Sequence, residues 1–152
     1  MSGMTIGEFA DRVSEVTPVI MREFMKKMYG DFSKHKISMP QIFILDILDK
    51  QKETRMTDLA KFLNVSTASV TGVTDKLVRE AYVERERGSE DRRVVRIRLT
   101  QKGARFTETM NRKRKAVMMK MFGKISQSDR ETYLRILGQI KQGAEGAEGE
   151  GK

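Results

Sequence analysis

Ile6, Phe9, Val13, Val16 and Ile20 recur at steps of three and four, and Phe24 and Met28 continue the stripe, so a long amphipathic helix opens the chain. Pro18 interrupts it. Either the proline kinks one helix, or Thr17 caps a new one with Pro18 in its first turn. Gly30 and the polar stretch Asp31 to Lys36 end the segment. Ser38-Met39-Pro40-Gln41 has capping-box spacing, and the helix it opens carries Ile42, Phe43, Leu45, Ile47 and Leu48 before a polar turn from Lys50 to Arg55. Thr57 is placed to cap a short helix through Leu59, Ala60, Phe62 and Leu63. Asn64 follows, a residue that tolerates the left-handed conformation at a helix end.

Ser66 offers the next N-cap. Behind it Ala68, Val70, Val73, Leu77 and Val78 supply an inward face, while Thr67, Ser69, Thr71, Thr74 and Lys76 look outward or flank it. Two helices joined sharply by about three residues form a helix-turn-helix. The period then changes to that of strands, through Val83-Glu-Arg-Glu-Arg87 and Val95-Arg-Ile-Arg-Leu99, with the glycine-opened segment Gly88 to Arg93 between them as a hairpin tip. Thr100 caps a long helix to about Gly123 with Phe106, Met110, Val117, Met118, Met121 and Phe122 as its apolar points. Ser126-Gln-Ser-Asp129 caps a last one carrying Tyr133, Leu134, Ile136, Leu137 and Ile140.

The pattern therefore predicts a mainly α fold with a small β-hairpin wing: a winged helix-turn-helix over 37–100, a dimerisation helix over 1–36 and dimerisation helices over 101–142. A glycine, alanine and glutamate tail, 143–152, is read as disordered. The terminal helices need apolar cover that one small central module supplies poorly, so a two-fold homodimer is expected over a monomeric bundle.

With 152 residues there is room for one ordinary domain or two small ones. The absence of cysteine excludes disulfides, thiol nucleophiles and thiolate zinc sites. No apolar run approaches the ~18 residues of a spanning helix, and residues 1–8 lack the pattern of an export signal, so no membrane role and a cytoplasmic location are expected. No phosphate loop, metalloprotease helix or nucleophile elbow appears; an enzyme is not expected, nor a cofactor. His35 is the single histidine, without a ligand partner, which argues against a metal site. The eleven methionines read as core filler rather than as the lining of a pocket.

Charge changes the picture. The formal net charge is +9, and residues 76–124 hold sixteen Lys and Arg against six Asp and Glu, so the excess is regional and suggests a polyanionic partner. The run Arg112-Lys-Arg-Lys115 reads as a solvated helix surface.

The segment Met56 to Val78, followed by Tyr82-Val-Glu-Arg85, by Asp91-Arg-Arg93 and by Leu99-Thr-Gln-Lys-Gly103, resembles the MarR family of winged-helix transcription regulators. The resemblance implies a homodimer whose paired second helices enter major grooves of double-stranded DNA at a pseudo-palindromic operator, each wing reaching an adjacent minor groove. Short hydroxyl side chains let a helix lie close to base edges and phosphates, and Gly72 removes bulk at a close approach. The candidate DNA-binding residues are Ser66, Thr67, Ala68, Ser69, Thr71, Gly72, Thr74, Lys76, Asp91, Arg92 and Arg93. By resemblance Arg93 is the inserted finger and Asp91 its orienting partner, while Arg92 touches phosphate. The resemblance also implies a repressor relieved by a small phenolic or anionic effector bound between the dimer helices and the DNA-binding lobe. The rivals are a winged-helix protein-interaction module and a nonspecific architectural DNA binder.

Overall fold

The computed structural model describes residues 3–30, 37–88, 91 and 93–147, with side chains given through 144. In chain order the elements are α1 (Ile6–Tyr29), α2 (Met39–Gln51), β1 (Glu53–Arg55), α3 (Met56–Leu63), α4 (Thr67–Arg79), β2 (Val83–Arg87), β3 (Val95–Leu99), α5 (Gln101–Phe122) and α6 (Gln127–Ala147). The three strands form one antiparallel sheet in the order β1-β3-β2. Mainly helical architecture with a small sheet as the wing is thus what the chain adopts.

The helix α1 starts at a reciprocal cap that the sequence also displays: Thr5 Oγ1 accepts from the Glu8 N–H at 3.2 Å, and Glu8 Oε2 accepts from the Thr5 N–H at 2.8 Å. Those bonds hold the Glu8 carboxyl below its ordinary pKa. Pro18 lies inside this single helix, so Thr17 is not a cap. With the start already fixed at Thr5, the proline removes one donor and the helix continues. Of α1 only Met28 is buried.

The helix α2 opens at Ser38 as its sequence predicts, with the Ser38 N–H donating to Gln41 Oε1 at 2.7 Å. Its inward face differs from the apolar pattern: Gln41 and Ile44 are buried while Phe43 is half exposed. The polar stretch after it is not merely a turn. Glu53, Thr54 and Arg55 pair with Arg98, Ile97 and Arg96 of β3, and only Thr54 faces inward. Three polar residues carry no strand signature; the open edge of β3 recruits them. Because β1 runs straight into α3, Arg55 rather than Thr57 is the N-cap of that helix.

Ile44, Leu45, Leu48, Leu59, Val70, Leu77, Val83 and Ile97 form the core between α2, α3, α4 and the sheet. Tyr82 and Phe106 close it edge to face at 5.2 Å between centroids. Burial, and after it the charge of Glu80, raises the Tyr82 phenol above its ordinary pKa.

Two compact units divide the chain, 1–114 and 115–152, and the division falls inside α5. Side chains of α5 explain the position. Arg114 grips Asp46 of α2 with Nη2 at 3.0 and 2.7 Å from the two carboxylate oxygens, and Asn111 Nδ2 donates to Asp49 Oδ2 at 2.9 Å. Thr107 adds a bond to Asp49 Oδ1 at 3.3 Å. The Arg112 to Lys115 run is therefore not uniformly solvated: one of its members is a structural tie between α2 and α5. Nearby Tyr29 has its pKa raised, first by burial, with the charge of Asp46 adding and that of Arg114 opposing.

In the second unit Ser126 Oγ accepts from the Asp129 N–H at 3.2 Å, Arg130 bonds the Ile125 carbonyl, and the rings of Phe122 and Tyr133 lie 5.4 Å apart. The helix α6 continues to Ala147, past Gly143, where the sequence reading starts a disordered tail. A glycine costs about 1 kcal/mol in a helix, which the alternating alanines and the established turns before it can absorb. Residues 148–152 of that tail lie outside the described ones.

Candidate nucleic-acid interface

The α3–α4 corner is built by two local devices. Asn64 sits in the left-handed region at φ 51° and ψ 47°, and the Val65 N–H closes the end of α3 on the Ala60 carbonyl at 3.0 Å. Ser66 Oγ then accepts from the Ser69 N–H at 3.1 Å and starts α4. After α4 the chain turns through Ala81 at φ 60°, a left-handed position filled without glycine, and enters β2.

Along α4 the candidate residues separate. Ser66, Thr67, Ala68, Ser69 and Gly72 are exposed, and Thr71 and Lys76 are half-buried. Ala68 therefore belongs to the outer surface, not the inward face. Thr74 moves the opposite way: it is fully buried and its hydroxyl donates to the Val70 carbonyl at 2.7 Å. The cause is helical phase, since Thr74 follows Val70 by four and precedes Leu77 by three, on the stripe those two residues bury. Thr74 is removed from the contact surface. Thr71 Oγ1 donates to the Thr67 carbonyl at 2.8 Å, leaving its lone pairs outward. A Cβ at Gly72 would meet nothing within 4 Å, so no protein neighbour demands glycine there.

The wing pairs Val83, Arg85 and Arg87 of β2 with Leu99, Ile97 and Val95 of β3 on the side turned to the helices. On the opposite side Glu84 and Glu86 meet Arg98, and Arg96 meets Glu53, a ladder of exposed ion pairs. The hydrogen bond from Arg98 to Glu84, then the charges of Glu84 and Glu86, raise the Arg98 pKa further. At the tip Asp91 Oδ1 accepts from the main-chain N–H of Arg93 at 2.8 Å. That bond shapes the backbone of the tip. Arg92 lies outside the described residues, as does His35.

Between α4 and the wing runs an open groove of about 620 Å³. Arg55, Arg85, Arg87 and Arg93 line it together with Thr67 and Thr71, and no carboxylate does among the described residues. Of those arginines only Arg93 stands out in the sequence. Arg85 and Arg87 are concealed in an alternating charged strand, although arginine at the strand positions that share a face with Ile97 and Val95 is the signal that could have exposed them. No group of acidic and histidine side chains among the described residues could hold a metal ion. No described helix is long and apolar enough to cross a membrane.

Comparison with known proteins places this geometry. Residues 37–95 match the model of the MarR family. YpoP of Bacillus subtilis (strain 168), an uncharacterized HTH-type transcriptional regulator, is 27% identical over 124 residues, covering 80% of this chain and 88% of its own. The HTH-type transcriptional repressor MdtR of the same organism is 24% identical over 126 residues, with coverage of 83% and 81%. Among solved structures, a MarR family protein from Bacillus stearothermophilus superposes with a TM-score of 0.81 at 20% identity, over 93% of this chain and 99% of that one. FabT of Streptococcus pneumoniae, crystallised in complex with DNA, gives 0.79 at 24% identity, over 94% and 99%. The helix-turn-helix, the wing and the family match coincide on one lobe, so the chain has the winged helix-turn-helix fold of these structures and, over residues 37–95, is similar to the MarR family.

Proposed function

We propose that the chain is a dimeric, sequence-specific binder of double-stranded DNA that represses transcription from a pseudo-palindromic operator in the cytoplasm. The observation that carries this reading is the groove lined by four arginines and three threonines, with no carboxylate in its lining among the described residues, beside the exposed hydroxyl edge of α4. Such a surface suits a polyanion: Arg55, Arg87 and Arg93, which no ion pair holds among the described residues, neutralise phosphates, and small residues at the start of α4 approach base edges. Ser66, Thr67, Ala68, Ser69, Thr71 and Gly72 read the major groove, with Lys76 at its margin. Arg93 enters the minor groove, Asp91 holds the tip backbone and Arg92 touches phosphate. FabT, which shares this fold, is known in complex with DNA, and MdtR is a repressor; both support the reading.

Dimerisation is supported by apolar side chains left in the open on the terminal helices: Ile6 at 82% exposure, with Phe9, Val16 and Ile20 on α1, and Leu134, Leu137 and Ile140 on α6. A small phenolic or anionic effector would relieve repression by preferring a lobe spacing that does not fit the operator, since a ligand shifts an equilibrium only through differential affinity.

Fluorescence anisotropy against a selected duplex and against random duplex, at several salt concentrations, tests the function, with sedimentation reading the stoichiometry. Two chains per selected duplex, and a preference that survives competition, are expected. Equal affinity for both duplexes would favour an architectural role, and no DNA affinity at all would favour a protein-interaction module. Heat on titrating phenolic acids is the expected sign of the effector; none with any member removes that part.

A further inference from the structure

One cation of the groove differs from the others. Arg85 shares the helix-facing side of the sheet with Thr54 and with Ile97, which is fully buried. A guanidinium in such a row needs a counter-charge or an exit to water. Asp75 of α4 supplies the counter-charge, with Oδ1 2.6 Å from Arg85 Nη1, and both side chains keep contact with solvent, Arg85 at 30% and Asp75 at 49% exposure. No ion pair holds Arg55, Arg87 or Arg93 among the described residues.

We infer that Asp75 is a specificity-determining positioning residue: it ties strand β2 to α4 and withholds the Arg85 guanidinium from nonspecific contact with phosphate. The inference rests on the DNA reading above. Its logic is the difference between the two kinds of affinity. Nonspecific binding grows with the number of cations that reach phosphates, whereas discrimination requires the wing and α4 to meet adjoining grooves in a fixed relation. One carboxylate beside four arginines serves both: it reduces the first and secures the second.

The test uses Asp75→Asn, Asp75→Glu, Arg85→Ala and the Asp75→Asn/Arg85→Ala double variant. Affinity is measured against salt on a selected duplex and on random duplex. Asp75→Asn should tighten binding to random duplex, steepen its logarithmic salt dependence by about 0.9, the value for one added phosphate contact, and lower the preference for the selected duplex severalfold. Asp75→Glu should keep the wild-type preference, Arg85→Ala alone should leave the random-duplex slope unchanged, and the double variant should lose the whole gain. A gain that persists in the double variant would mean that Asp75 acts only as bulk negative charge, and an unaltered slope in Asp75→Asn would mean that Arg85 is not withheld; either overturns the inference. Those outcomes differ from failure of the DNA reading, in which the wild-type chain itself prefers no duplex.

Discussion

Gly103 in the first turn of α5 lies against the main chain of Tyr82, so close that a Cβ there would stand 2.0 Å from the Tyr82 carbonyl oxygen. The same corner is bound by Thr100, whose hydroxyl donates to the Ala81 carbonyl at 2.6 Å and accepts from the Gly103 N–H at 3.1 Å. The contact joins the exit of α4 to the start of α5 through backbone, which cannot yield as a side chain can. Gly103→Ala should therefore cost about 3 kcal/mol or prevent folding, because the added methyl displaces main chain at a packed junction. Chemical denaturation checks this; a loss below about 0.5 kcal/mol would show that the corner relaxes.

Gly72 is the opposite case. Its Cβ would enter open space, and as an exposed glycine within α4 it weakens the helix. Gly72→Ala should raise stability by up to about 1 kcal/mol. If DNA approaches the α4 backbone there, the same substitution lowers operator affinity. Stability and affinity thus move in opposite directions in one variant, read by thermal melting and anisotropy; a rise in stability with unchanged affinity would place the DNA elsewhere along α4.

Thr74 separates the hydroxyls that face out from the one that does not. Thr74→Val keeps the buried shape and loses only a bond to a carbonyl of its own helix. Stability should change by less than about 1 kcal/mol, and operator affinity should not change. Thr67→Val, at an exposed position, should weaken operator binding. Equal losses in the two variants would put the burial of Thr74 in doubt.

Arg114 fastens α5 to α2 through both oxygens of Asp46, with side-chain exposures of 31% and 23%. Arg114→Met leaves the Asp46 carboxylate partly buried without its partner. A loss of about 1–2 kcal/mol is expected, reduced from the fully buried case by residual solvent. Asp46→Asn/Arg114→Met should recover part of it. A single variant as stable as the wild type would make this pair a surface contact only.

Much of the lobe was legible because local chemistry and tertiary packing agree there. Ser38, Asn64, Ser66 and Thr100 each carry a polar atom or a tolerated conformation that ends or starts a helix by itself, and the two alternating segments can only be strands. The misses share another cause. β1 consists of three polar residues whose pairing is dictated by β3, Thr74 follows the helical phase rather than its own polarity, and Arg114 is committed by Asp46, which is 68 residues away in sequence. None of those relations exists until the elements meet. The groove was half visible: Arg93 stands in a motif, whereas Arg55, Arg85 and Arg87 converge only when the sheet forms.

The central claim, that paired copies of α4 read a duplex, is tested most directly by enriching random duplexes on the purified chain and sequencing what is retained. The account predicts a two-fold symmetric motif with half-sites about one helical turn apart, lost in the Thr67→Val/Ser69→Ala variant. A retained pool with the composition of the starting one would contradict it.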